Sequence, residues 1–280
     1  MSLIDRGLCG IVTGMEHSGT TLLSQLLHAH PQVASGAECG ILLSKLHEFD
    51  RLDPFWGWMA ARHSWGWGLN EDDRQALLGA QSYEEAYGIL AVNKGKNTLD
   101  PDLRRLFLAS DIIYDKTPAY VFQLANVLTK IDVPCCVVVK SWREIYDSYC
   151  RKRSWEIKKT ALRYERMLDQ VIAAKGLFGA RVLVILYRQL AKGNPAIMRA
   201  VADHFRLPGN FELSLANYND RFGKYTGVWS AMDKSSLFYE ESDHVAPHVI
   251  VANTSPIILK YEIYFRAKFE LATLDSIKTL

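Results

Sequence analysis

The strongest chemical signal in the sequence is the run Thr13-Gly14-Met15-Glu16-His17-Ser18-Gly19-Thr20-Thr21. Gly14 and Gly19 permit a tight turn in which successive backbone N–H groups converge on phosphate oxygens. The N-terminus of a following helix would add its partial positive charge. The spacing follows GxxxxGK[ST] except that Thr20 stands where that pattern has lysine. The lysine normally reaches the β- and γ-phosphates of a nucleoside triphosphate. Its absence argues against ATP or GTP hydrolysis and for a nucleotide with fewer 5′ phosphates. A bare strand-to-helix turn also carries glycines, but here an apolar strand precedes the loop and Leu22-Leu23 follow it.

Short apolar runs alternate with helix-period stretches, the pattern of an α/β protein with a mostly parallel sheet. Leu8 to Thr13 reads as the first strand, and a helix runs from about Thr20 to His30. Ile112 to Tyr114, Cys135 to Val139 and Val182 to Leu186 read as further buried strands. Trp155 to Lys175 carries Ala161, Tyr164, Leu168, Val171 and Ile172 on one helical face. Ala196 to Phe205 is another helix, stopped near Pro208-Gly209. Lys116 follows the second of these strands, at the end that faces the ligand crevice of open α/β sheets. An exposed loop lysine is the plainer alternative.

Phe49 to Thr98 interrupts the alternation and holds Trp56, Trp58, Trp65 and Trp67. It reads as a mostly helical insertion or lid, whose tryptophans either stack on an acceptor or pack inside. No fold is assigned to residues 209–280, and Gly223 to Pro256 lacks steady periodicity. The whole chain, residues 1–280, reads as a single domain that includes both of these segments.

Composition narrows the classes. A net charge of +2 over 280 residues excludes a strongly basic nucleic-acid binder and an acidic tail. No run approaches the ~20 apolar residues of a membrane span, and the N-terminus reads as neither signal peptide nor anchor. Five cysteines without a CxxC pair fit a reducing compartment. A soluble, cytoplasmic protein is expected, with no membrane or nucleic-acid partner. His28 and His30 diverge on a helix, and His244 and His248 are separated by Pro247, so no metal site is expected.

His17-Ser18-Gly19-Thr20-Thr21-Leu22-Leu23 resembles the 5′-phosphosulfate loop of sulfotransferases that use 3′-phosphoadenosine 5′-phosphosulfate (PAPS), where Arg or Lys precedes Ser-Gly-Thr-Thr. Further elements follow in the family's order over about residues 8–208. Lys140 ends a strand and Ser148 lies eight positions on, similar to the family's 3′-phosphate pair, with Arg143 between them. A helix start with solvated charges would look the same. Asp115-Lys116-Thr117-Pro118-Ala119-Tyr120 is similar to the Glu-Lys-Thr-Pro-x-Tyr of carbohydrate sulfotransferases. Glu38 stands where tyrosylprotein and several carbohydrate sulfotransferases carry their general base. An ordinary glutamate at a helix start is the alternative. Tyr187-Arg188-Gln189-Leu190 resembles the family's Tyr-Glu-x-Leu, with Arg188 replacing the acid, and reads as structural.

The resemblance implies a three-layer α/β fold of the P-loop type, a parallel sheet flanked by helices. It implies PAPS as co-substrate, held by Gly14, His17, Ser18, Gly19, Thr20, Thr21, Lys140 and Ser148. Glu38, Lys116 and His17 would be catalytic, and the acceptor would be a small molecule, carbohydrate or peptide. Two positions depart from the family. His17 lacks the permanent charge of Arg or Lys, and Lys140 lacks the bidentate fork of Arg. Two other readings stand beside this one. A kinase or NTPase with a variant loop could use Asp115 to hold magnesium, and a degenerate PAPS-binding scaffold would explain the two departures.

Overall fold

The computed structural model describes residues 7–63, 66–153, 156–209, 211–214, 216–217 and 256–278. Five strands form one sheet: β1 (Leu8–Thr13), β2 (Val33–Ala34), β3 (Ile112–Lys116), β4 (Cys135–Val139) and β5 (Val182–Leu186). Their order is β2-β3-β1-β4-β5, and every pairing is parallel. Parallel strands covered on both faces need continuous apolar sequence, and β1 and β4 are buried along their whole length.

The period-2 alternation of the strands sorts these side chains into two cores. Ile11, Cys135, Val137 and Val139 join one core; Val12, Cys136 and Val138 join the other. On the second face lie α1 (Thr20–His28) and the later helices α9 (Tyr187–Ala191) and α10 (Pro195–His204). The first face packs on α6 (Leu124–Lys130) and α8 (Ile157–Phe178). Helices on both sides of a parallel sheet make the expected three-layer α/β fold of the P-loop type. Each fully buried Leu, Val or Ile in these layers stabilises the fold by about 1.5–3 kcal/mol.

Between β2 and β3 the chain forms α2 (Phe55–Ala60), α3 (Glu71–Gly79), α4 (Tyr83–Asn93) and α5 (Pro101–Leu108). Asn70 begins α3 with a reciprocal capping box to Asp73, and Ser82 caps α4 through the Glu85 N–H. After β4 comes α7 (Trp142–Arg153), started by a second reciprocal pair. Ser141 donates its hydroxyl to Glu144, whose carboxylate also accepts the Ser141 N–H.

Element boundaries differ modestly from the sequence expectation. The first helix ends at His28, whose ring bonds the Ser35 backbone. The long helix starts at Ile157, and Trp155 lies outside the described residues. Most of Gly223 to Pro256, with His244 and His248, lies outside them too. The sequence left Pro256–Lys278 unassigned; it is a helix, α11, packed on α7 and α8. Tyr261 and Phe265 meet Trp142, and Lys268 pairs with Glu165 and Asp169.

β1 leads toward β2 and β3, whereas β4 leads to β5 on the other side. The connections that leave the C-terminal ends of β1 and β4 therefore run to opposite sides, which opens the crevice where ligands of α/β sheets bind.

Candidate active site

The loop Gly14 to Gly19 leaves the end of β1 at this crevice. Gly14 (φ 153°) passes so close to the Val138 carbonyl and the Ser18 hydroxyl that a Cβ would collide with both. Gly19 (φ 104°) is the left-handed N-cap of α1, and its Cα faces the ring of Tyr187. No side chain caps α1 and no acid lies in its first turn, so its leading N–H groups stay available to a ligand. His17 is held at φ 65°, a left-handed conformation that few residues other than glycine adopt. Ser18 is 1% exposed, and its hydroxyl has no partner among the described residues. A buried hydroxyl without a partner costs about 1–3 kcal/mol. These donors fit a phosphate or phosphosulfate group, while Thr20 heads α1 and Thr21 follows it.

Sequence reading passed over Glu16, in the middle of this loop. Its carboxylate accepts from the Tyr149 hydroxyl at 2.8 Å and from Arg163 at 2.6 Å. Burial would raise its pKa, but the bonds from Arg163 and Tyr149 and the charge of Arg163 outweigh burial and hold it low. The Tyr149 ring also meets His17 edge to face at 5.2 Å. The loop is thus tied to α7 and α8 by a carboxylate whose partners lie 133 and 147 positions away.

Across the crevice Lys140 leaves β4. Its ammonium sits 3.6 Å above the Tyr187 ring, the same ring that walls Gly19. Its carbonyl accepts from Tyr164 at 2.9 Å. Ser148 is half-buried on α7, next to Tyr149, and Arg143 lies in that helix's first turn. Arg188 pairs with Glu144 at 3.1 Å, so the substituted Tyr-Arg-Gln-Leu stretch ties α9 to the start of α7.

The second charged group lies at the end of β3. Lys116 donates to Glu38 at 3.1 Å; their side chains are 6% and 24% exposed. Glu38 stands in an irregular stretch after β2, not at a helix start. Burial pushes its carboxyl above the ordinary range, the Lys116 ammonium pulls back, and the nearby carboxylates of Asp115 and Glu16 add to the rise. Thr13, the last residue of β1, donates to the carbonyls of Thr117 and Pro118 at 3.0 Å each, which joins the two halves of the site.

Asp115 does not face the crevice. It is 1% exposed and accepts hydroxyls from Tyr87, Tyr120 and Thr117. A carboxylate with this many hydroxyl partners is committed to the interior, which corrects the reading of Asp115 as a magnesium ligand. The network reaches the stretch around Glu38 as well. The Thr117 hydroxyl accepts from the Gly40 N–H at 3.3 Å, and the Tyr120 hydroxyl from the Leu42 N–H at 3.1 Å. Tyr87 carried no sequence signal, because it lies 28 positions from its acceptor, whereas Tyr120 closes the Asp-Lys-Thr-Pro-Ala-Tyr motif and its bond to Asp115 gives that tyrosine a structural role. Among the described residues, no group of three or more His, Cys, Asp or Glu is placed to hold a metal. No helix among them is long and apolar enough to cross a membrane.

A phosphate-type loop between parallel strands, with a lysine–glutamate pair at the adjacent strand end, defines a group-transfer protein of the P-loop-like α/β class. The sequence profile of the sulfotransferase family matches residues 11–212, and the chain belongs to that family. No curated protein matches the sequence. Among solved structures, the fold is similar to the sulfotransferase domain of the Synechococcus PCC 7002 olefin synthase. Identity there is 17%, with a TM-score of 0.50 over 96% of this chain and 94% of that one. A Mycobacterium avium sulfotransferase matches at 15% identity and a TM-score of 0.43, over 80% of this chain and 69% of the other.

Proposed function

We propose that this sulfotransferase uses PAPS as donor and transfers its sulfuryl group to a hydroxyl or amine of a small-molecule, carbohydrate or peptide acceptor. The observation that carries the reading is the 3.1 Å pair of Lys116 and Glu38 at the end of β3, across from the glycine loop. A carboxylate that burial holds above its ordinary pKa is a stronger base than an exposed one. Glu38 takes the proton of the acceptor O–H or N–H as that atom bonds to sulfur. The bond from sulfur to the 5′-phosphate oxygen breaks, and the electron pair leaves on that oxygen. Lys116, His17 and the N–H groups at Gly19, Thr20 and Thr21 offset the charge that develops there. Lys140 and Ser148 hold the 3′-phosphate, and adenosine 3′,5′-bisphosphate is the second product.

Titration calorimetry tests the donor. The bisphosphate should bind without metal and at least about tenfold more tightly than AMP, the difference that one charge-assisted phosphate contact supplies. A preference for Mg·ATP over the bisphosphate would refute the donor assignment.

A further inference from the structure

The stretch Ser35 to Leu42 carries Glu38 without secondary structure to hold it until the single 3-10 turn at Ile41–Leu43. One side is fixed to β3 and its exit. The Ser35 hydroxyl donates to the Tyr114 carbonyl at 2.6 Å, and Gly40 and Leu42 reach Thr117 and Tyr120. The other side meets the tryptophan-rich segment at two glycines placed symmetrically about Glu38. Gly36 lies flat on the Trp67 indole, where a Cβ would fall 2.6 Å from the ring. Gly40 lies on Phe55, where a Cβ would fall 2.5 Å from the ring. The indole N–H donates to the Ala37 carbonyl at 2.6 Å, on the peptide that joins Ala37 to Glu38.

Both rings are rigidly mounted. Trp67 is fully buried, and its N–H and C=O bond the backbones of Trp58 and Gly95. Phe55 packs edge to face on Trp58 at 5.4 Å. Gly36 and Gly40 let the backbone approach both rings at distances no side chain would allow.

We propose that the tryptophan-rich segment is a clamp that sets the position of Glu38 against Lys116, with Trp67 and Phe55 as positioning residues. The proposal rests on Glu38 being the general base. It assigns the segment to the base instead of to stacking on an acceptor. Trp67 acts through the backbone just before Glu38 and Phe55 through the backbone just after it, and neither touches a reacting atom.

The position of Glu38 is read most directly from its own titration, followed by ¹³C NMR of glutamate-labelled full-length protein and assigned by the resonance lost in Glu38→Gln. The charged groups whose fields act on Glu38 are Lys116 and the buried Asp115 from β3 and Glu16 from the loop, and the test leaves them unchanged. Trp67→Phe keeps a ring on Gly36 but deletes the bond to Ala37. Burial is the largest influence on Glu38, so loosening the stretch should lower its midpoint toward that of an exposed glutamate. Affinity for adenosine 3′,5′-bisphosphate should stay within about twofold, because the glycine loop and Lys140 lie outside the clamp. Phe55→Leu, at a half-buried position, should move the midpoint the same way by less. A Glu38 midpoint unchanged in both variants would overturn the clamp, as would bisphosphate affinity falling in parallel with it. Failure of the base assignment shows separately, as full turnover in Glu38→Gln.

Discussion

The two halves of the crevice are built differently. The loop half is made mainly of backbone: two glycines, the uncapped start of α1 and a buried serine, all within the run Gly14 to Thr21. The Glu38–Lys116 half is made of side chains brought together from distant positions. Its central pair is separated by 78 residues, and its supports come from β3, α4 and the tryptophan-rich segment. Backbone donors need only a turn of the right shape. A buried carboxylate beside a lysine needs every neighbouring polar group satisfied, and so depends on the whole surrounding fold.

Four substitutions and pH titrations probe that contrast. Glu38→Gln should lower turnover by about 10²–10⁴-fold and leave bisphosphate binding near wild type, since it removes the base without touching the loop. Undiminished turnover would break the division at its centre. In the wild type, the acid side of the pH–rate profile should lie above the titration of an exposed glutamate. The raised pKa of Glu38 means the carboxylate form is lost at a higher pH as the solution is acidified. An acid side at the ordinary carboxylate pKa would remove burial as the tuning influence.

Asp115→Ala should cost about 3–5 kcal/mol in denaturant unfolding, because the buried hydroxyls of Tyr87, Tyr120 and Thr117 lose their acceptor. A loss under about 1 kcal/mol would mean that these hydroxyls find other partners. Lys140→Ala should weaken bisphosphate binding by about 10–50-fold while AMP binding and the melting temperature barely change. Equal weakening of both nucleotides would place Lys140 away from the 3′-phosphate. The smallest effect belongs to His17. Bisphosphate affinity should rise a few-fold as pH falls from about 8 to 6, since an imidazolium attracts phosphate and a neutral ring does not. His17→Arg should flatten that dependence, and a sloping profile in the variant would assign the effect to another group.

Legibility in the sequence followed the same contrast. β1, β4 and β5 matched their apolar runs because strands buried on both faces allow little else. The glycine loop was legible because its parts are adjacent in the chain. Glu38 and Lys116 were found through resemblance, and the structure brings them within hydrogen-bond distance. Glu16 was missed because its meaning depends on Tyr149 and Arg163, over a hundred residues away. The segment around Trp67 read as a helical insertion or lid with no link to Glu38, since Gly36 lies 31 positions before Trp67 and Gly40 lies 15 before Phe55. The helix at Pro256–Lys278 escaped because its apolar residues follow no single face; Tyr261 and Phe265 are packed inward while Ile263 and Leu271 are exposed.

The Tyr187 ring backs Gly19 and carries the Lys140 ammonium 3.6 Å above its centre. One rigid side chain therefore spaces the two ends of the crevice, as the fixed jaw of a caliper spaces what is measured. In the proposed complex a nucleotide would then be gauged by length as well as by charge. One whose outer phosphates are set too far apart or too close together can satisfy one end only by straining the other.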